Sequence, residues 1–93
     1  MSKKPNIIII MADQLAAQAL SLYGNPVCKT PHLNELANQG IVFENAYSNN
    51  PVCVPSRASM LSGMLCPEIS AYDNATELPS SVPTMAHYMR SLG

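Results

Sequence analysis

Aromatic and charged side chains are scarce in this sequence. Tryptophan is absent, only four tyrosines and one phenylalanine are present, and charged residues make up 12% of the chain. Proteins that hold single-stranded nucleic acid stack its bases on aromatic rings, and proteins that hold a duplex need a field of lysine and arginine. A formal net charge of -1 supplies no such field. We therefore expect no nucleic acid among the partners of this protein.

Long apolar runs are also missing. The longest run, residues 7–12, is much shorter than the roughly 18 residues that a membrane-spanning helix needs. The basic start at residues 1–4, Met-Ser-Lys-Lys, gives the N-terminus a superficial likeness to a signal peptide, but the apolar run ends early, at the charged Asp13. We expect no membrane contact and a cytoplasmic protein.

The cysteines do not have the pattern of a scaffold. Cys28, Cys53 and Cys66 are an odd number, and no two of them have the Cys-x-x-Cys spacing of a metal site. Hydrophobic residues nevertheless make up 47% of the 93 residues. The chain is therefore one small domain at most, and its low charge predicts that further protein covers part of its surface.

Two apolar runs predict strands. Residues 7–11, Ile-Ile-Ile-Ile-Met, do not alternate with polar residues, which is typical of a central strand covered on both faces of a parallel sheet. Residues 41–47 predict a second strand. The carboxyl end of the first strand would present Asp13 and Gln14 to the crevice where open α/β sheets bind ligands.

Three segments have the signals of helices. Thr30 before a proline is typical of an N-cap, and Gly40 closes the helix that follows. A second helix is predicted over about residues 55–61, and a third after Ser81 as cap, with Pro83 in its first turn. The order of strands and helices predicts an α/β protein with a largely parallel central sheet flanked by helices.

Cys53 stands where the second predicted helix begins. Because Pro55 would open that helix, the cysteine lies at an N-terminus, where free amides and the helix dipole favour anions. Cys53 is therefore a candidate nucleophile. Arg57 follows in or near the first turn, where its charge opposes the dipole unless an anion offsets it. Cys28 and Cys66 have no such setting and are expected to be ordinary buried thiols.

Residues 53–57, Cys-Val-Pro-Ser-Arg, followed by Leu-Ser-Gly at residues 61–63, are similar to the signature of type I sulfatases, members of the alkaline-phosphatase-like superfamily. The resemblance implies that a maturation enzyme oxidises Cys53 to formylglycine, whose hydrated aldehyde is the nucleophile. One hydroxyl of that diol would attack sulfur, and the other would then drive elimination of sulfate. The resemblance also implies a catalytic role for Arg57, which would stabilise the nucleophile and the developing charge.

Residues 6–14, Asn-Ile-Ile-Ile-Ile-Met-Ala-Asp-Gln, resemble the opening strand of the same family, which ends in acidic metal ligands. The resemblance implies a divalent-metal site with Asp13, Gln14 and Cys53 as ligands. Calcium is expected first, with magnesium or manganese as alternatives. Glutamine stands where aspartate is commoner in the family, which removes one negative charge from the ligand shell.

Two features are similar to the choline-sulfatase branch in particular. One is the Asp-Gln pair at residues 13–14, and the other is the segment at residues 72–77, Tyr-Asp-Asn-Ala-Thr-Glu. The resemblance implies that Asn74 binds the sulfate of the substrate. It also implies that residues 1–93 are the N-terminal portion of a truncated sulfatase domain, and that the full-length protein hydrolyses choline sulfate or a related small sulfate ester. This portion alone is expected to be inactive.

Other interpretations stay open. A phosphonate or phosphate-ester hydrolase of the same superfamily would use the same metal and diol to attack phosphorus. Alternatively, the chain is a non-catalytic fragment or interaction module that retains the motif from a catalytic ancestor. With the sulfatase interpretation, the expected partners are a small sulfate ester, the formylglycine-generating enzyme and the remainder of the sulfatase chain.

Overall fold

The computed structural model describes residues 3–93, so Met1 and Ser2, half of the short basic start, lie outside the described residues. None of the helices in this part of the chain is both long and apolar enough to cross a membrane. The chain divides into two compact units, Met1–Asn45 and Ala46–Gly93. The helices are Pro31–Gln39 (α1), Cys53–Ser62 (α2) and Met85–Leu92 (α3), preceded by two 3-10 turns at Ala17–Ala19 and Ser21–Tyr23.

In the first unit, α1 packs against the second 3-10 turn. The helix begins at Pro31, whose missing N–H costs no hydrogen bond at a first helical position, and it ends before Gly40, as predicted. Ser21 Oγ lies 2.6 Å from Thr30 Oγ1 and donates to Asn34 Oδ1 at 3.0 Å. Thr30 precedes the helix but makes no side-chain capping bond. Its hydroxyl joins the helix to the turn instead.

The two strands predicted from the sequence are not formed within the described residues. Residues 7–11 and 41–47 have no strand pairing, and Ile8 and Ile10 are 82% and 88% exposed. A helix bonds its backbone to residues four positions away, whereas a strand needs neighbouring strands. The two segments have the composition of strands, but the described chain supplies no partners for them. The sheet predicted from these two segments is therefore not present in residues 3–93.

The second unit has a small core beside α2. Ala58 of the helix is buried with Ile69 and Ala71 from the following loop. Complete burial of an isoleucine side chain stabilises a fold by about 1.5–3 kcal/mol, so Ile69 at 3% exposure is a main contributor here. Partly buried apolar side chains pack against this cluster from Met64, Leu78 and Val82.

The start of α3 differs from its prediction. Thr84, not Ser81, is the N-cap, and the helix begins after Pro83 instead of including it. Thr84 and His87 form a capping box, in which the Thr84 N–H donates to His87 Nδ1 at 3.0 Å. Because this pair bonds amides at both the cap and the third helical position, it defines a better helix start than Ser81 could. His87 therefore has a structural role at the start of α3.

Candidate active site

Cys53 is the first residue of α2, and its side chain is exposed. Val52 before it is extended, with φ -101° and ψ 141°, and its apolar side chain makes no capping bond. The sequence predicted that the helix begins at Pro55, but Pro55 is its third residue. The first-turn N–H groups of a helix lack internal partners, so a proline there loses no hydrogen bond. The structure thus places Cys53 at a helix N-terminus.

The backbone on both sides of Cys53 is bonded to asparagine side chains. The Val52 N–H donates to Asn50 Oδ1 at 2.8 Å. The Val54 N–H donates to Asn74 Oδ1 at 2.9 Å, across 20 positions of the chain. The structure therefore brings the segment around Asn74 to the first turn of α2, beside the predicted nucleophile.

Ser48 ties the loop before α2 to the helix itself. Its Oγ donates to the Asn50 carbonyl oxygen at 2.8 Å and lies 2.7 Å from Ser56 Oγ. A hydroxyl has one proton to donate, so the Ser56 hydroxyl is the donor of the second bond. Ser56, which belongs to the Cys-Val-Pro-Ser-Arg segment, is thereby engaged in holding the loop.

Arg57 is the fifth residue of α2, near the first turn as the sequence predicted. Residues four apart on a helix are neighbours on one face, so Arg57 and Cys53 share a face of α2. Both side chains are exposed. A cation on that face can contact an anion held near the helix start.

Asp13 and Gln14 lie in a turn of the first unit, and both are exposed. Gln14 has a backbone φ angle of 52°, in the left-handed region that residues other than glycine rarely adopt. Cys53, the third predicted ligand, belongs to the second unit. Over residues 3–93, no three His, Cys, Asp or Glu side chains are grouped as a metal site would require.

The three cysteines are free thiols with different environments. Cys53 is exposed, Cys28 is half-buried and Cys66 is buried. The Cys66 thiol donates to the Pro55 carbonyl oxygen at 3.5 Å, a contact that joins it to the first turn of α2. Only Cys53 combines exposure with a helix N-terminus; Cys66 is buried as expected, whereas Cys28 is less buried than expected.

A cavity of about 550 Å³ lies beside α2. It is lined by residues 46–49 and by the helix residues Ser56, Ser59 and Met60. Neither Cys53 nor Arg57 lines it. This cavity is therefore not where the predicted chemistry lies.

Comparison with known proteins decides the family. The family model described as Sulfatase matches residues 5–93. The chain belongs to the sulfatase family. The resemblance seen in the sequence is thus confirmed, and membership implies the alkaline-phosphatase-like α/β fold, although residues 3–93 contain helices and no strand. Sulfatases generally use formylglycine and a divalent metal.

Several curated sulfatases are similar to this chain. A protein of Rhizobium meliloti named choline-sulfatase is 42% identical over 97% of this chain and 18% of its own length. An ulvan-active sulfatase of Formosa agariphila has the same identity and coverage. An N-acetylglucosamine-6-O-sulfatase of Bacteroides thetaiotaomicron is 37% identical over 99% of this chain and 16% of its own length. The chain thus spans less than a fifth of these relatives. No solved structure matches it significantly.

The donors that this sulfatase sequence supplies fit a divalent metal in kind but not in number. The Asp13 carboxylate and the Gln14 amide both offer the oxygen atoms that hard cations prefer. Calcium takes about six to eight oxygen ligands, so these two residues would fill only part of a shell.

Sequence reasoning missed Asn50 and Ser48. Asn50 precedes a proline, and asparagine at such positions commonly accepts a hydrogen bond from the backbone two residues ahead. That turn signal was available in the Asn-Pro pair. The Ser48 to Ser56 contact had no signal of its own, because it depends on the path of the loop.

Proposed function

We propose that the full-length protein carrying this sequence hydrolyses sulfate esters, with Cys53 converted to formylglycine as its nucleophile. The observation that carries the proposal is the position of Cys53: exposed, first in α2, and next to the Val54 N–H that Asn74 holds. Family membership supports the reaction class, and the exposed thiol supports access for an oxidising maturation enzyme.

The proposed reaction uses the hydrate of the formylglycine aldehyde. One hydroxyl attacks sulfur and loses its proton, while the alcohol of the ester leaves and gains one. The second hydroxyl is then deprotonated, the aldehyde re-forms, and the carbon–oxygen bond to sulfate breaks. Water restores the hydrate. The covalent intermediate is thus released without a second attack on a crowded sulfur atom.

Arg57 and Asn74 are proposed to hold the anionic group near this nucleophile. Arg57 shares a helix face with Cys53, and its charge would stabilise the ionised hydroxyl and the charge that develops on sulfate. The Asn74 amide has its oxygen on the Val54 N–H, so its two N–H donors stay for another acceptor. A sulfate oxygen is such an acceptor.

Asp13 and Gln14 are the residues of this chain proposed to hold the divalent cation, together with the oxygen that replaces the Cys53 thiol. When bound, calcium or a similar ion would stabilise the ionised nucleophile and polarise the ester. Asp13 supplies the negative charge. The neutral amide of Gln14 lowers the charge of the shell and favours weaker binding than two aspartates would give.

Choline sulfate is the substrate we propose first, with related small sulfate esters next. The Asp-Gln pair at residues 13–14 and the relative named choline-sulfatase support it. Other relatives are named for ulvan and for N-acetylglucosamine, so sulfated carbohydrates belong in any substrate panel. The cytoplasmic location predicted from the sequence stays part of this proposal.

The test is peptide mass spectrometry across residues 49–57 beside sulfate release, in full-length protein co-produced with a formylglycine-generating system. We expect oxidised Cys53, unmodified Cys28 and Cys66, and faster release from choline sulfate than from sulfated carbohydrates or a phosphonate ester. Residues 1–93 treated the same way should release no sulfate, because the metal shell is partial. Fully active enzyme with an unmodified Cys53 thiol would overturn the proposal.

A further inference from the structure

The start of α2 lacks a cap of its own. Val52 stands at the N-cap, where Ser, Thr, Asp or Asn would ordinarily accept a hydrogen bond from the helix. Pro55, the third helical residue, has no N–H, and the Ser56 N–H is bonded to the Val52 carbonyl oxygen at 3.0 Å. The first turn therefore has two amides that need an acceptor from elsewhere, those of Cys53 and Val54.

Asn74 takes the second of these amides, at 2.9 Å, and so acts as a cap supplied from a distant loop. Asn50 holds the peptide group that joins Pro51 to Val52, one residue before the cysteine, through the Val52 N–H at 2.8 Å. The two contacts come from opposite directions along the chain. The two peptide groups bonded to asparagine, Pro51–Val52 and Cys53–Val54, therefore enclose a short segment that contains the Cα atoms of Val52 and Cys53.

We propose that Asn50 and Asn74 form an asparagine clamp, a pair of positioning residues that fixes the backbone of Cys53 and hence the direction of its side chain. The catalytic meaning of the clamp rests on the function proposed above. Its existence does not, since the two hydrogen bonds can be tested without any turnover.

Each asparagine amide can hold the backbone in only one of its two orientations. An N–H group requires an acceptor, so each asparagine must turn its carbonyl oxygen to the backbone. In Asn74 this also fixes where the NH2 group lies, which couples the hold on Val54 to the sulfate contact proposed for the same side chain. Among the described residues, the NH2 group of Asn74 makes no hydrogen bond that would compete.

Asn50 is supported in turn by Ser48. The Asn50 carbonyl oxygen accepts from Ser48 Oγ at 2.8 Å, and that hydroxyl is bonded to Ser56 of α2. The loop side of the clamp is therefore anchored to the helix whose N-cap residue, Val52, it holds. An aspartate at either position would keep an acceptor oxygen, whereas alanine would remove it.

The first measurement is residue-resolved amide hydrogen exchange. Asn50→Ala should speed exchange of the Val52 amide about tenfold or more while Val54 changes little, and Asn74→Ala should do the reverse. Asn50→Asp and Asn74→Asp should restore slow exchange. Asn38→Ala, at an exposed asparagine of α1, is the matched control and should change neither. Unchanged exchange in both alanine variants would overturn the clamp.

The second measurement is turnover per formylglycine, in full-length matured protein. Asn50→Ala should lower kcat by about ten- to a hundredfold with a smaller change in KM, because misplacing a nucleophile by about 1 Å costs about that much rate. Asn50→Asp should recover most of kcat. Asn74→Asp should not, since it keeps the acceptor but loses the donors for sulfate.

The outcomes separate this inference from the proposed function. If the matured wild-type protein releases no sulfate, the proposed function fails, and exchange alone decides whether the clamp exists. If exchange changes as expected but kcat per formylglycine does not, Asn50 and Asn74 stabilise the helix without positioning the nucleophile, and the inference is overturned.

Discussion

The two compact units differ in how much apolar surface each buries by itself. The second unit has buried residues around α2, among them Pro55, Ala58 and Ile69. In the first unit, the described residues include none that is buried. Its isoleucines at residues 7–10 are between 54% and 88% exposed.

This difference shows which interactions can form between residues that are close in sequence and which need more distant residues. α2 and the loop that follows it bury their side chains among residues close in sequence. The apolar segments of the first unit have the composition of sheet strands, whose hydrogen bonds and covering layers come from distant chain. The first unit is therefore the part whose stability depends on further protein.

The largest expected effect separates the reactive surface of the second unit from its core. Cys53→Ala should abolish sulfate release in the full-length matured protein, because no diol can form, while the melting temperature stays unchanged at this exposed position. Cys66→Ala should keep Cys53 oxidation but lower stability by about 1 kcal/mol. Sulfate release by Cys53→Ala protein would contradict the assignment of the nucleophile.

Core truncation compares the two units directly. Ile69→Ala should destabilise the protein by about 2–4 kcal/mol, because it opens a cavity at a side chain that is 3% exposed. Ile8→Ala, at 82% exposure, should change stability by less than about 0.5 kcal/mol. Urea unfolding of residues 1–93 measures both. Equal losses would show that the first unit has a core of its own.

Amide exchange maps the same contrast along the backbone. Amides in the last two turns of α2 should exchange at least about tenfold more slowly than those of residues 7–11, a difference of about 1.4 kcal/mol. Helical hydrogen bonds protect the former, and the latter have no strand partner in the described chain. Similar protection in both segments would contradict the conclusion that the two units differ in stability.

The smallest expected effect concerns α3. Thr84→Ala should cost about 1 kcal/mol, because it removes one half of the capping box with His87. Thr84→Ser keeps the hydroxyl and should retain most of the stability. Ser81→Ala, at the cap predicted from the sequence, is the control and should have little effect. Far-UV circular dichroism during thermal unfolding would show both differences.

The sequence predicted helices better than strands for a physical reason. Pro31 and Gly40 mark the ends of α1 through local backbone preferences, which hold whatever surrounds the helix. Residues 7–11 are strand-like only when other strands lie beside them. Their composition could be recognised, but the absence of partners within this chain could not.

The candidate site shows the same distinction between local signals and long-range contacts. Cys53 and Arg57 could be proposed because their motif is contiguous, and Asn74 because its segment resembles a family branch. Asn50 was missed although the Asn-Pro pair carried a turn signal, because that signal does not show which helix the turn precedes. Asp13 and Cys53 belong to different compact units, and no local pattern in the sequence marks that division.

The cap that Asn74 supplies also has a consequence in time. Asn74 is made 20 residues after Val54, whose amide it accepts. At about 5–20 residues per second, a ribosome needs about one to four seconds to add them. A helix of ten residues without its cap is only marginally formed. During synthesis, the segment that contains Cys53 is therefore complete before the residue that caps its helix, and we expect the proposed maturation enzyme to act in that interval.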